Sequence, residues 1–423
     1  MRAKIRASTT VLLFLMAGSA SAQFQYTPPG GPEEKPANRR EALELEVSQA
    51  RYHLGPVRIA PWAALRDIAY VRTLFASSGQ RSPADFTATA GAGFHAYLHN
   101  TPKVTWSLGV LPEYVWWRQQ SQRRRLNGRY QLGLHGFFNR LTLEAAAGRE
   151  QRLQIVTPEV PVLASARADG GEVLAEVEVT HAVFAFTSFA ATQQTNLVDT
   201  EQDPLTHSLA LLNRRERVLR GGLRWQPRQQ WSVALGAEGS RVDFERTALP
   251  RSNSGTAPLL QVYFHGHNLS FDGEVAARSL EAQRGADFVP FHKVTGSASV
   301  LLGATSRLRG SVYGSRNLIY SLATGYAYLQ DDRVGTALIA DLGFHTGGRI
   351  FAEAGRNEYT AFAPGTPRRD DNVTSLGGQF TFDLGGQTVL GLQFLRSRFS
   401  SNLPGGDRTF SSAGLTLNVF AGR

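Results

Sequence analysis

Thr409-Phe410-Ser411-Ser412-Ala413-Gly414-Leu415-Thr416-Leu417-Asn418-Val419-Phe420 is the stretch whose reading decides the fold. From Ser411 onward the odd positions hold Ala413, Leu415, Leu417 and Val419, and the even ones Ser412, Gly414, Thr416 and Asn418. A period of two marks a strand with one oily and one polar face. The stretch closes on an aromatic, and its design recurs upstream.

Leu126, Tyr130, Leu132, Leu134 and Phe138 alternate with Asn127, Arg129, Gln131 and His135. Leu219, Leu223 and Trp225 oppose Arg220, Arg224 and Gln226. Leu269, Phe271, Val275 and Ala277 oppose Ser270, Asp272, Glu274 and Arg278. Val294, Ala298, Val300 and Leu302 oppose Lys293, Thr295, Ser297 and Ser299, and Leu376, Phe380, Phe382 and Leu384 oppose Ser375, Gln379, Thr381 and Asp383. Each oily set has about the length of the roughly 10-residue tilted strand that crosses a bilayer. Weaker segments, such as 57–71 with Pro61 and 104–117 with Pro112, read as strands with a bulge or a rim position at the proline.

The connections alternate between short and long. Asn100-Thr101-Pro102, Asn139-Arg140, Gly266-His267-Asn268 and Gly385-Gly386 resemble tight turns, whereas 76–84, 151–171, 192–215, 321–333 and 363–372 read as long loops. Short periplasmic turns facing long outer loops are the rhythm of a barrel in lipid, where no sheet edge can stay unpaired. The expected fold is therefore all-β: a transmembrane antiparallel up-and-down β-barrel of about 18 strands (16–18), with both ends of the barrel on the periplasmic side.

The N-terminus supports export. Arg2, Lys4 and Arg6 precede a short apolar run from Val11 to Ala17, and Ala20-Ser21-Ala22 is an A-x-A cleavage site, so residues 1–22 read as a signal peptide. Residues 23–55, with Pro28-Pro29-Gly30-Gly31-Pro32, read as a flexible periplasmic segment containing a helical turn or two between Asn38 and Gln49. Residues 56–423 form the expected barrel. The absence of cysteine excludes disulfides, thiolate metal sites and a lipoprotein anchor. The net charge is +10, and because Lys occurs only at positions 4, 35, 103 and 293, nearly all the basic residues are Arg. These charges are spread along strands and loops of an exported chain, which argues against nucleic acid as a partner.

The signal at 1–22, the repeated amphipathic strands and the closing strand 414–420 resemble single-chain bacterial outer-membrane β-barrels. That resemblance implies residence in the cell outer membrane among lipid and lipopolysaccharide. It also implies delivery to the barrel assembly machinery through the C-terminal strand, although here Ala421-Gly422-Arg423 follow the final aromatic, Phe420. Leu54-Gly55-Pro56-Val57-Arg58-Ile59-Ala60-Pro61-Trp62 is similar to the opening strand of porin-like β-barrels found with exopolysaccharide export systems. Those continue with an aromatic-Asp-Asn stretch, where this chain has Ile68-Ala69-Tyr70-Val71-Arg72.

Charges of both signs fall on the polar faces. Arg129, Arg220, Arg224, Arg278 and Arg309 are the candidate selectivity groups of a hydrated lumen, since the planar guanidinium fork suits carboxylate and phosphate. Pairing with Glu144, Glu172, Glu176, Glu238 or Glu274 gives the other reading, in which these groups only brace the wall. His265-Gly266-His267 lies at a turn without further ligands, and Asp331-Asp332 and Asp370-Asp371 fall in expected loops, where solvated charge competes with a divalent cation. No metal site, cofactor or catalytic residue is expected, and the glycine pairs serve turns. The six Trp, at strand ends, read as interfacial girdles. The expected function is a porin-like passage for polar or anionic solutes, which the second resemblance links to surface polysaccharide export, in a chain favoured as a monomer. The competing reading is a structural or surface-interaction barrel that uses its long outer loops.

Overall fold

In the computed structural model the described residues are 26–31, 39–75, 84–197, 208–245, 251–303, 307–323, 325–343, 345–385 and 388–420. The signal-peptide reading for 1–22 lies outside them. A helix α1 (Arg39–Gln49) and a short strand β1 (Tyr52–Leu54) precede the wall. β1 folds back on β2 (Val57–Phe75) through Gly55, whose φ of +60° favours glycine.

The wall then runs β3 (Asp85–Thr101), β4 (Val104–Trp117), β5 (Arg125–Phe137), β6 (Leu141–Thr157), β7 (Val160–Thr180), β8 (Val183–Asn196), β9 (Arg214–Arg228), β10 (Trp231–Phe244) and β11 (Asn253–His265). It continues as β12 (Leu269–Ala282), β13 (Phe291–Gly303), β14 (Leu308–Tyr320), β15 (Tyr326–Gly343), β16 (Thr346–Ala361), β17 (Asp370–Gly385), β18 (Thr388–Ser401) and β19 (Arg408–Phe420). Each strand pairs antiparallel with its sequence neighbours. β19 pairs with β2, with Ala413 opposite Tyr70, Leu415 opposite Ile68 and Phe420 opposite Trp62. The 18 strands β2–β19 thus close into an up-and-down barrel, and both of its ends lie at the short-turn end.

The parity read from the sequence sorts the two faces. Leu223, Leu235 and Leu260 are cross-strand partners in one row, all exposed on the outside, while their neighbours Arg224, Ala234 and Gln261 turn inward. Val275, Val294, Val312, Val334, Ile350, Leu376 and Leu392 extend this exposed apolar band around the barrel. A closed barrel with an oily outside spans a membrane by strands, with its backbone polar groups paired between neighbours. At β2, a bulge between Arg66 and Ala69 contains Asp67, a non-glycine residue at φ +52°. Pro61 sits away from it, in unbroken register opposite Phe94.

Several expected loops are strand. β6 and β7 run to Thr157 and Val160, so 151–171 is a hairpin joined at Pro158-Glu159. β15 begins at Tyr326 and places Asp331 and Asp332 in the ladder, and Asp370 and Asp371 open β17. Beyond the lipid neither face of a strand meets hydrocarbon, so oily alternation lapses there while backbone pairing continues. The Trp expectation also divides. Trp106, Trp116 and Trp225 are exposed on the outside, but Trp62 and Trp117 are buried. Trp62 packs inward with Ala64 and Leu111, and the Arg123 guanidinium lies 5.7 Å from the Trp117 ring.

Candidate transport lumen

All five candidate arginines lie on the inner-face parity of their strands. Neighbouring strands bring Arg220 and Arg278 together around one carboxylate. Glu238, almost fully buried, accepts from Arg220 Nε at 2.9 Å and from Arg278 Nη1. Arg220 also donates to Glu274 at 3.2 Å, Gln261 donates to the same carboxylate at 2.8 Å, and Arg278 donates to Thr295 Oγ1 at 2.7 Å. This patch spans β9 to β13. Arg224 reaches past β8 to Glu176 at 2.6 Å and lies over the Phe184 ring. Arg129 pairs with its cross-strand partner Glu150 at 2.7 Å, beside the Arg66–Glu113 pair. Arg309 lies apart from these, near the short turns on β14. The wall from β2 to β13 is thus a series of charge-assisted Arg–carboxylate pairs, the strong class of hydrogen bond.

Sequence reasoning missed a second cluster, on the facing wall. Arg333 on β15 donates to Asp331 and, at 3.1 Å, to Asn357 of β16. Asp371 accepts from Tyr359, Arg369 and Arg408, each at 3.0 Å. The expected loop carboxylates are therefore paired with guanidiniums. Asp332 takes Arg316 at 2.8 Å on the outside, and Asp370 takes Arg356 at 2.9 Å. Among the described residues no three His, Asp or Glu are grouped to hold a metal, and His265 meets Ser270 at 3.1 Å. The signal for the missed cluster was parity: Val334, Thr336 and Leu338 face out, which turns Asp331 and Arg333 in.

Two pieces of chain lie in the space between these walls. The first is the β6–β7 tip. Residues 155–159 are all buried, so neither face of the hairpin looks into solvent. Val156, Ala164 and Ala166 join Leu209, Leu280, Phe291, Leu318 and Tyr320 in one cluster. Glu159 accepts from Ser321 Oγ at 2.7 Å and from the Leu322 N–H, while Pro158 O accepts from Arg408 Nε at 2.7 Å. A hairpin that leaves the wall at β6 and β7 thereby reaches β14 and β19 at the outer end.

The second is the segment before the barrel. At the short-turn end, Leu43, Val47 and Ala50 pack on Tyr97, with Ala60 and Phe137 at the edge. Tyr97 Oη donates to Glu46 at 2.9 Å, and Arg39 pairs with Glu144 at 2.6 Å. Farther along, the Gly30 N–H donates to Glu353 Oε2 at 3.3 Å and Arg349 donates to Gly30 O. Tyr26 is buried among Ile319, Leu329, Tyr359 and Phe410, and burial, which outweighs the nearby Arg333 charge, pushes its hydroxyl well above the usual tyrosine range.

A closed barrel with an oily outside and a charged, partly obstructed inside defines a class, the outer-membrane β-barrel. Within it, the chain shares its fold with solved barrels. OccAB3 of Acinetobacter baumannii superposes with a TM-score of 0.53 at 10% identity, over 86% of this chain and 99% of that one. OccK9 (OpdG) of Pseudomonas aeruginosa gives 0.53 at 10% identity, over 86% and 98%. The outer membrane protein OprD of Pseudomonas aeruginosa gives 0.52 at 8% identity, over 89% and 97%. No protein-family profile and no curated protein matches the chain by sequence.

Proposed function

We propose that this protein is a porin-like passage for polar solutes, anions among them, through the outer membrane, working as a monomer. The observation that carries this is the inner wall: Arg–carboxylate pairs follow one another from β2 round to β13 inside a closed 18-strand barrel. Such a wall is wet, and its fixed guanidiniums offer an entering anion bidentate partners in exchange for its hydration. Arg220 and Arg224, with side chains 26% and 32% exposed, are among the members of the wall positioned to meet a solute. The shared fold with OccAB3, OccK9 and OprD supports the same reading. Nothing in the lumen or the comparisons supports a link to polysaccharide export.

Planar-bilayer recordings test it. Inserted protein should give unit conductance steps with anion preference, and Arg220→Ala with Arg224→Ala should reduce that preference severalfold, read from the reversal potential in a salt gradient. A folded barrel that stays silent, with its inner obstructions removed as well, overturns the reading. The β6–β7 hairpin, whose tip reaches β14 and β19 inside the barrel, is the observation that favours the competing, non-conducting barrel, and the same recordings separate the two.

A further inference from the structure

The lipid-facing surface changes character at one row of the seam. Going toward the outer end, β18 passes from Phe394 to Arg396 and Arg398, β19 from Ala413 to Ser411, and β2 from Tyr70 to Arg72. The registers join these residues across the strands. Ala413 lies opposite Phe394 on one side and Tyr70 on the other, and Ser411 lies opposite both Arg396 and Arg72. Below them the surface stays apolar through Leu392 and Leu415, which are again cross-strand partners. The arginines therefore stand on the outer-leaflet side of a continuous oily face.

β19 carries the short side chains of this patch. Phe394 and Tyr70 are exposed with only the methyl of Ala413 between them, and the exposed Arg396 and Arg72 have only the hydroxymethyl of Ser411 between them. The flanking strands are two strand spacings apart, about 10 Å. This leaves a slot along β19 with aromatic sides, and its outer end opens between two guanidiniums.

Charge decides what fits the slot. Among the described residues Arg72, Arg396 and Arg398 take no carboxylate. Other arginines on the outer part of the barrel's exterior are matched, Arg149 with Asp169, Arg316 with Asp332 and Arg356 with Asp370. Guanidinium forks on either side of a phosphate can each take its oxygens in pairs. Inorganic phosphate gains nothing from the aromatic slot, and an uncharged lipid gains nothing from the arginines. An amphiphile with a phosphate head uses both.

We propose that the seam binds a phosphate-bearing lipid of the outer leaflet, with the phosphate between Arg72 and Arg396 beside Arg398, and an acyl chain over Ala413 between Phe394 and Tyr70. Such a lipid touches β18 and β2 at once, across the strand that closes the barrel. A ligand that binds only the closed form stabilises it. The site lies on the outside, away from the lumen arginines, so it is independent of whether the barrel conducts.

The probe is lipid A, a phosphorylated glycolipid, titrated onto the folded barrel in detergent, with retention read by native mass spectrometry. Arg72→Gln with Arg396→Gln should weaken retention at least severalfold. Ala413→Phe, which fills the slot and keeps every charge, should do the same. Lipid A stripped of its phosphates should be held by the parent as weakly as intact lipid A is by the glutamine pair, and millimolar inorganic phosphate should not displace the intact lipid. Heat-modifiable gel migration confirms that each barrel is folded. In phosphatidylcholine vesicles, added lipid A should raise the unfolding temperature of the parent and leave that of the glutamine pair unchanged. Undiminished retention by the glutamine pair, or equal retention of the dephosphorylated lipid, overturns the site. Undiminished retention by Ala413→Phe, or displacement by inorganic phosphate, means that the arginines take phosphate alone and overturns the lipid.

Discussion

At the scale of single residues, the lumen turns on Glu238. It is a buried carboxylate serving Arg220 and Arg278 at once, and those two serve Glu274 and Thr295 in turn. Removing one member of a buried charge set leaves the others desolvated and unmatched, at a cost of about 3–5 kcal/mol. Glu238→Gln should therefore lower the thermal transition of the folded barrel and, by freeing two guanidiniums, increase its preference for anions over cations. A gel-shift melting series checks the first effect and the reversal potential the second. An unchanged reversal potential would mean that these groups brace the wall and do not face the permeating path.

At the scale of elements, the β6–β7 hairpin shows what the sequence made legible and what it withheld. The alternation that fixed Leu219 against Arg220, or Leu269 against Ser270, depends on one face meeting hydrocarbon. Ile155, Val156 and Val162 are all buried in protein, so no period of two marks them, and 151–171 reads as a loop. The inward parity of the five candidate arginines was legible because each lies between residues of outward parity. Arg349 and Arg408 were not, since their importance depends on Gly30 and Pro158, 319 and 250 residues away. That hairpin carries its own prediction. Glu159 holds the tip to Ser321 and Leu322, and a buried carboxylate loses its anchor if replaced by a methyl. Glu159→Ala should loosen the outer constriction and increase conductance fluctuations while gel migration shows the barrel still folded. Steady recordings indistinguishable from the parent would mean that Arg408 and the apolar cluster hold the tip unaided.

At the scale of the whole molecule, the oily outside is what binds the barrel to its solvent. Leu235 stands in the middle of an unbroken row with Leu223 and Leu260, exposed on the lipid side. An arginine at the bilayer midplane costs about 2–4 kcal/mol on such a face. Leu235→Arg should reduce folding yield into vesicles, measured by heat-modifiable migration, whereas Ala234→Ser on the inner face should not. The seam extends the same logic to biosynthesis. β2 finds its second neighbour only in β19, more than three hundred residues later, so the first strand emerging waits for the last. A ribosome that stalls late or a protease that trims the tail yields no narrower pore, only a ribbon with two raw margins that hydrocarbon rejects. Fragments of this polypeptide should accordingly be cleared in the periplasm, and the cell should contain either the finished cylinder or nothing.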